Sequence, residues 1–277
     1  MANRFDFALA RSLLFVPGDR PERFAKALAA QPDGIIIDLE DAVALPAKDS
    51  ARAEAAKFLR GAETQGRSGL RLNPITTRAG LDDLAALADG KLKPAFLVVP
   101  KVDSPRDVEI LLAHWADAPP LVATIESAVG LREAPETARL LRKGDALGFG
   151  GADFSADIGA ALAWEPLLVA RSLMVQAAAI VHCPVVDVPF IDVKDNAGLE
   201  AEAQAAKRMG FTGKLAIHPG QVAGINAAFT PTAAEIDRAK RIVEAAKTAK
   251  GAFTVDGKMV DKPLIEQAER ILRLTGA

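Results

Sequence analysis

The sequence predicts an α/β chain that closes into a (β/α)8 TIM barrel with a C-terminal helical and hairpin lid extension, on three observations. Short runs rich in Val, Ile, Leu and Phe alternate with longer Ala-rich, charged segments, the pattern of buried parallel strands followed by amphipathic helices. Eight such pairs fit into about 220 residues, which is the size of a single closed barrel. No low-complexity linker divides the chain, so the residues after 230 are surplus to the eight pairs. An open doubly wound sheet is the alternative. It lacks its usual signal, because the GxGG at 148–151 has neither a third spaced glycine nor a later ribose-binding acid.

The strands are expected at 11–17, 34–39, 69–73, 95–102, 120–126, 146–151, 184–190 and 213–218. Each is a short apolar run of strand length. Helices are expected near 21–30, 46–60, 79–88, 104–115, 131–142, 165–181, 196–209 and 219–228. Pro21, Pro46 and Pro105 stand where a first-turn proline is tolerated. The extension reads as a helix (232–249), a hairpin (FTVDGKMVD) and a final helix (263–274). Its turn signal is Asp256–Gly257. The expected organisation is a catalytic barrel at 1–230 and a lid or oligomerisation extension at 231–277.

Composition removes several function classes. The 277 residues carry 36 acids against 34 bases, a formal charge of −2, which gives no electrostatic case for nucleic-acid or anionic-membrane binding. Cys183 is the only cysteine, which excludes an intramolecular disulfide and a multi-cysteine zinc site. The chain has no Tyr, so no tyrosine acid or base. No apolar run is read as a membrane span, and the apolar stretches near the N-terminus are too interrupted for a signal peptide. A soluble cytoplasmic protein is the expectation.

Barrel active sites lie at the C-terminal ends of the strands. The polar residues expected there are Asp19 and Arg20, then Asp38, Glu40 and Asp41, then Arg71 and Asn73. Lys101, Glu126 with Ser127, Asp153, Asp187 with Asp192, and His218 complete the ring. Glu126 and Asp153 follow neighbouring apolar strands, and two such carboxylates suit a hard cation such as Mg2+. The plainer reading is that each caps a helix or pairs with a lysine. Arg71 lies in an alternating strand and reads either as a carboxylate clamp or as a buried partner of Glu40 or Asp41. Lys101 is not marked as a Schiff-base lysine, because nearby acids keep it charged. His218 reads as a structural residue before it reads as a base or ligand. His114, His182 and Cys183 read as packing residues.

The blocks RSLLFVPGDRPERFAKA, GIIIDLEDAV, LRLNP, VVPKVDS, ATIESAVGL, GFGGADFSADIG, LAIHPGQV and VDGKMVDKP resemble, in order, those of the citrate lyase β-subunit-like family. That family is grouped with malyl-CoA lyases in the HpcH/HpaI aldolase superfamily. The likeness spans residues 11 to 263, and its ordered set is more specific than any one block. The resemblance implies a Mg2+-dependent CoA-ester lyase, cytoplasmic and assembled as a homotrimer or a multiple of it. Such an enzyme cleaves or forms a C–C bond in a 3-hydroxy-dicarboxylyl-CoA such as citryl-, malyl- or citramalyl-CoA. The products are an acyl-CoA and an oxo-acid of the oxaloacetate, glyoxylate or pyruvate class. It further implies that Glu126 and Asp153 bind the metal, that Arg71 binds the substrate carboxylate, and that Arg20 contacts the coenzyme A tail. Glu40, Asp41 and Lys101 would stand behind them. Asp261, with Asp256 as its rival, would be a lid acid that covers a neighbouring subunit's site. A pyruvate aldolase without CoA, a malyl-CoA thioesterase and a β subunit acting on a carrier thioester remain as alternatives.

Overall fold

Eight parallel strands pair in chain order and close on themselves: β1 (Ser12–Pro17), β2 (Gly34–Asp38), β3 (Ser68–Arg71), β4 (Leu97–Val99), β5 (Leu121–Ile125), β6 (Ala146–Phe149), β7 (Val185–Asp187) and β8 (Gly213–Ala216). The computed structural model describes residues 4–61, 66–115, 117–249 and 251–275. Helices follow the strands: α1 (Phe24–Ala29), α2 (Lys48–Phe58), α3 (Arg78–Ala88), α4 (Pro105–His114) and α5 (Ala128–Leu140). After β6 come two helices, α6 (Gly151–Asp157) and α7 (Trp164–Val181); α8 (Asn196–Met209) and α9 (Val222–Phe229) complete the set. The fold is a (β/α)8 barrel.

Strand parity divides the core. Leu13, Ile36, Val98, Val122, Ala146, Val186 and Leu215 form the inner cluster, with Phe96 across it and Phe5 and Phe7 stacked against Phe96. Gly69 leaves the room that Phe96 fills, since a Cβ there would stand 2.2 Å from the ring. The alternate residues, among them Leu14, Ile35, Ile37, Leu70 and Leu97, join the helices in the larger outer cluster. Burying these aliphatic layers is the main force that holds the barrel closed. The same parity sends Asp38 inward after Ile36, and the β2–β3 register sets Asp38 beside Arg71.

The structure corrects several expectations. The strands are shorter than the apolar runs. Pro100 has no N–H, and Lys101 adopts a left-handed backbone (φ 51°), so the ladder of β4 stops at Val99. Helix α5 starts at Ala128, with Ser127 as its N-cap, three residues before the expected start. Helix α6 was not expected; seven residues give no readable periodicity. Asp187 does not belong to the mouth. It is fully buried on the outer side of β7, between Arg171 (2.9 Å) and Lys214 (2.7 Å), and Lys214 also reaches Glu202 (2.7 Å). Helix α7 is long and apolar enough, by length and composition, to cross a membrane, contrary to the reading of the apolar runs. It serves as a barrel helix, with Leu167, Met174 and the ion-paired Arg171 buried.

The chain divides into two compact units, Met1–Phe229 and Thr230–Ala277. The second holds α10 (Ala233–Ala246), the hairpin β9 (Phe253–Val255) and β10 (Lys258–Val260), and α11 (Lys262–Thr275). Asp256 and Gly257 both take positive φ (53° and 74°), the backbone of a tight hairpin turn. Ala239, Ile242, Val255, Val260 and Ala268 form this unit's own core. Val260 is therefore a core residue, whereas Met259 is exposed.

Candidate active site

The polar residues at the C-terminal ends of β2 to β6 meet as a connected set. Arg71 is braced by Asp38 through two parallel bonds, Nε to Oδ1 and Nη2 to Oδ2, both 2.7 Å. Its Nη1 lies 2.9 Å from Oε2 of Glu40, and its guanidinium sits 4.7 Å over the Phe15 ring. Of the two readings of Arg71, the ion pair is present, with Asp38 as the main partner and Glu40 as the second. The sequence sets Asp38 among the acids of the ring but does not show it as the partner of Arg71. The parity of Ile36 and Asp38 was the signal that would have found it. Burial by itself would lower the Arg71 pKa, but the Asp38 bond and the charges of Asp38, Glu40 and Glu126 raise it, so the guanidinium stays charged.

Lys101 links the rest. Its Nζ lies 2.8 Å from Oε1 of Glu40 and 3.5 Å from Asp41, and its backbone N–H donates to Oε2 of Glu126 at 3.2 Å. Burial opposes its charge, but Glu40, Asp41 and Asp153 outweigh burial and keep the ammonium protonated. That charge disfavours a Schiff-base role, since such chemistry needs a neutral amine. Glu40 is buried between the two cations. Burial nevertheless leaves its carboxyl above the ordinary value, against the pull of Arg71 and Lys101.

Glu126 is 5% exposed, and β6 gives it room: a Cβ on Gly150 would stand 2.3 Å from its Cγ and 2.8 Å from its Oε1. Burial first, and then the charges of Glu40 and Asp153, push its carboxyl up to about 8. Asp153 lies in the first turn of α6, half-buried, and no described residue hydrogen-bonds its carboxylate. Five acids (Asp38, Glu40, Asp41, Glu126 and Asp153) are thus grouped with two cations.

Among the described residues no three His, Cys, Asp or Glu side chains converge as a ready-made metal cage. Mg2+ does not need one, because one or two carboxylates suffice and water or substrate oxygens complete its octahedron. Glu126 and Asp153, with excess negative charge and the cradle left by Gly150, fit that demand.

The remaining predicted residues fall elsewhere. Arg20 is exposed in the turn after β1, 3.8 Å from Asp19. His218 accepts from the Gly220 amide through Nδ1, a capping role. Cys183 has its thiol pushed up to about 11 by burial, which disfavours the thiolate. Asp261 belongs to the second unit, where its carbonyl accepts from Leu264 and Ile265 at the start of α11. Its rival Asp256 is held 2.8 Å from Arg241.

A barrel with this mouth can be set beside known proteins. The family described as HpcH/HpaI aldolase/citrate lyase matches residues 11–219, and a description of a C–C bond lyase of the TIM-barrel fold matches residues 169–276. The chain belongs to the HpcH/HpaI aldolase/citrate lyase family. It is 32% identical to human mitochondrial citramalyl-CoA lyase, over 95% of this chain and 85% of that one. It is equally 32% identical to citrate lyase subunit beta of Haemophilus influenzae, over 95% of this chain and 96% of that one. CitE of Mycobacterium tuberculosis, solved in complex with magnesium, acetoacetate and coenzyme A, superposes with a TM-score of 0.83 at 32% identity, covering 98% of this chain and 100% of that one. This lyase is accordingly an enzyme that acts on carbon–carbon bonds.

Proposed function

We propose that this lyase is a Mg2+-dependent CoA-ester lyase whose substrate is a 3-hydroxyacyl-CoA with a carboxylate next to the carbinol. The observation that carries this reading is the presence at one mouth of a braced, permanently charged Arg71, the cradled Glu126, and Asp153, whose carboxylate no described residue hydrogen-bonds. The magnesium and coenzyme A bound by the CitE relative support it.

In this reading Glu126 and Asp153 would hold Mg2+, which would supply Lewis acidity to the bound substrate. Asp38 occupies one edge of the Arg71 guanidinium, and the N–H groups left over on Nη1 and Nη2 hold the substrate carboxylate. That contact orients the carbinol for cleavage. The hydroxyl gives its proton to a water molecule, the C–C bond breaks, the oxo-acid carbonyl forms, and the electron pair stays on the acyl-CoA as its enolate. Asp261, from the lid of a neighbouring subunit in a homotrimer or a multiple of it, donates a proton to the enolate carbon. Arg20 at the rim contacts a phosphate of the CoA tail. Glu40, Asp41 and Lys101 hold Arg71 and Glu126 in place.

A panel of citryl-, malyl- and citramalyl-CoA, each with Mg2+, tests the reading when free oxo-acid and free thiol are measured separately. Mg2+-dependent release of oxo-acid without thiol is expected. Thiol release alone would make the enzyme a thioesterase, and no reaction with any member would refute the proposal. The Haemophilus β-subunit relative favours one second reading, in which the thioester is borne by an acyl carrier. Carrier thioesters in the same panel distinguish the two.

A further inference from the structure

Asp153 has no hydrogen bond from a described residue to hold its carboxylate, so its position follows that of α6. A helix of seven residues without a side-chain cap does not hold itself in place. Its N-cap, Gly150, donates its N–H to the Ile125 carbonyl at 2.9 Å, and two side chains fasten it further. Phe154 is buried with its ring 5.5 Å from that of Phe149, an apolar contact that fixes depth but permits sliding. At the other end, Oδ2 of Asp157 accepts from the Ala128 N–H at 2.8 Å. That bond has direction, and it joins the residue four after Asp153 to the residue two after Glu126. Ala128 opens α5, where a carboxylate is favoured by the free N–H groups and the helix dipole. Next to it, the Ser127 hydroxyl donates to Asp103, two residues after Lys101. The loops bearing Lys101, Glu126 and Asp153 are therefore linked by side-chain bonds just behind those residues.

We infer that Asp157 is a positioning residue: its bond to the Ala128 amide clamps α6 to the start of α5 and sets the separation of the Glu126 and Asp153 carboxylates. The inference rests on the reading that these two carboxylates hold Mg2+. Outer partners of metal ligands are commonly worth about 10- to 100-fold in metal affinity.

The test removes the bond from either side. Asp157→Ala deletes the acceptor. Ala128→Pro deletes only the donor, at a first helical position that welcomes proline and behind a residue, Ser127, already extended (φ −140°, ψ 162°). Asp157→Asn keeps an acceptor oxygen. Each protein is titrated with Mg2+ by calorimetry, with a melting curve to confirm folding and Glu126→Gln as control. The expected result is a loss of about tenfold in Mg2+ affinity for Asp157→Ala and for Ala128→Pro. The double variant should be no worse than either single one, and Asp157→Asn should bind like the parent. If Glu126→Gln loses binding while Asp157→Ala or Ala128→Pro binds like the parent, the clamp is wrong. If Asp157→Asn is as impaired as Asp157→Ala, charge and not the bond is responsible, and the clamp is again wrong. If Glu126→Gln itself binds Mg2+ like the parent, the metal reading fails, and the clamp's purpose fails with it.

Discussion

The backbone N–H of Lys101 donates to Oε2 of Glu126, while the ammonium of the same residue pairs with Glu40, the partner of Arg71. One residue thus connects the proposed metal-binding half of the site with the carboxylate-binding half. It does so from a left-handed backbone (φ 51°), a conformation that costs a residue with a side chain about 1–2 kcal/mol.

Lys101→Gly separates the two connections, because glycine adopts the left-handed backbone freely and keeps the amide. Mg2+ affinity should stay close to that of the parent. Affinity for an oxo-acid should fall, because Glu40 is then left with Arg71 alone and competes for its donors. Loss of Mg2+ binding in calorimetry would show that the ammonium, and not the amide, supports Glu126.

Arg71→Lys keeps the charge but not the planar fork that Asp38 engages. A charge-assisted bond is worth about 1.5–3 kcal/mol, so oxo-acid affinity should fall by about 10- to 100-fold. CoA affinity should be unchanged. Unimpaired oxo-acid binding in competition assays would leave Arg71 as a purely structural partner of Asp38.

The Glu126 carboxyl, held up to about 8, makes the metal-free protein pH-sensitive. Its folded pKa lies above the unfolded value of about 4.3, so the fold retains a proton that the unfolded chain releases. The associated stability is fully present below about pH 4.3 and is lost as pH rises through 8. Glu126→Gln escapes this loss. In a chelator, the melting temperature of the variant relative to the parent should rise from pH 5 and level off above about pH 8. A constant difference across that range would contradict the assignment of a raised pKa.

The lid proposal is tested by mixing two inactive proteins, Asp261→Asn and Glu126→Gln, under conditions that let subunits exchange. If Asp261 acts across an interface, some mixed sites carry both native residues and activity partly returns. Exchanged oligomers that stay inactive would exclude that role.

The barrel was legible because apolar runs such as Ile35–Ile37 and Leu121–Ile125 are buried on both faces, and a continuous hydrophobic strand is easily recognised. The positions of Arg71, Lys101, Glu126 and Asp153 followed from the rule that the mouth lies at strand C-termini. Asp187 was misassigned to that mouth because its parity went unused: Val186 faces inward, so Asp187 faces the helices. The bond between Asp38 and Arg71 depends on strand register, and the amide of Lys101 on a backbone angle. Neither is written in a residue type. Helix α6 was missed because residues 150 and 151 read as the end of the sixth strand and seven residues give no helical period; the two glycines instead make space for Glu126 and for Phe149.

The account depends most on Glu126 and Asp153 sharing one metal ion. Crystals soaked in Mn2+, a scatterer that can stand in for Mg2+, test this directly through an anomalous difference map. The account predicts one strong peak within about 2.0–2.3 Å of a carboxylate oxygen of each residue. A map with no peak there, or with its strongest peak on other side chains, would contradict it.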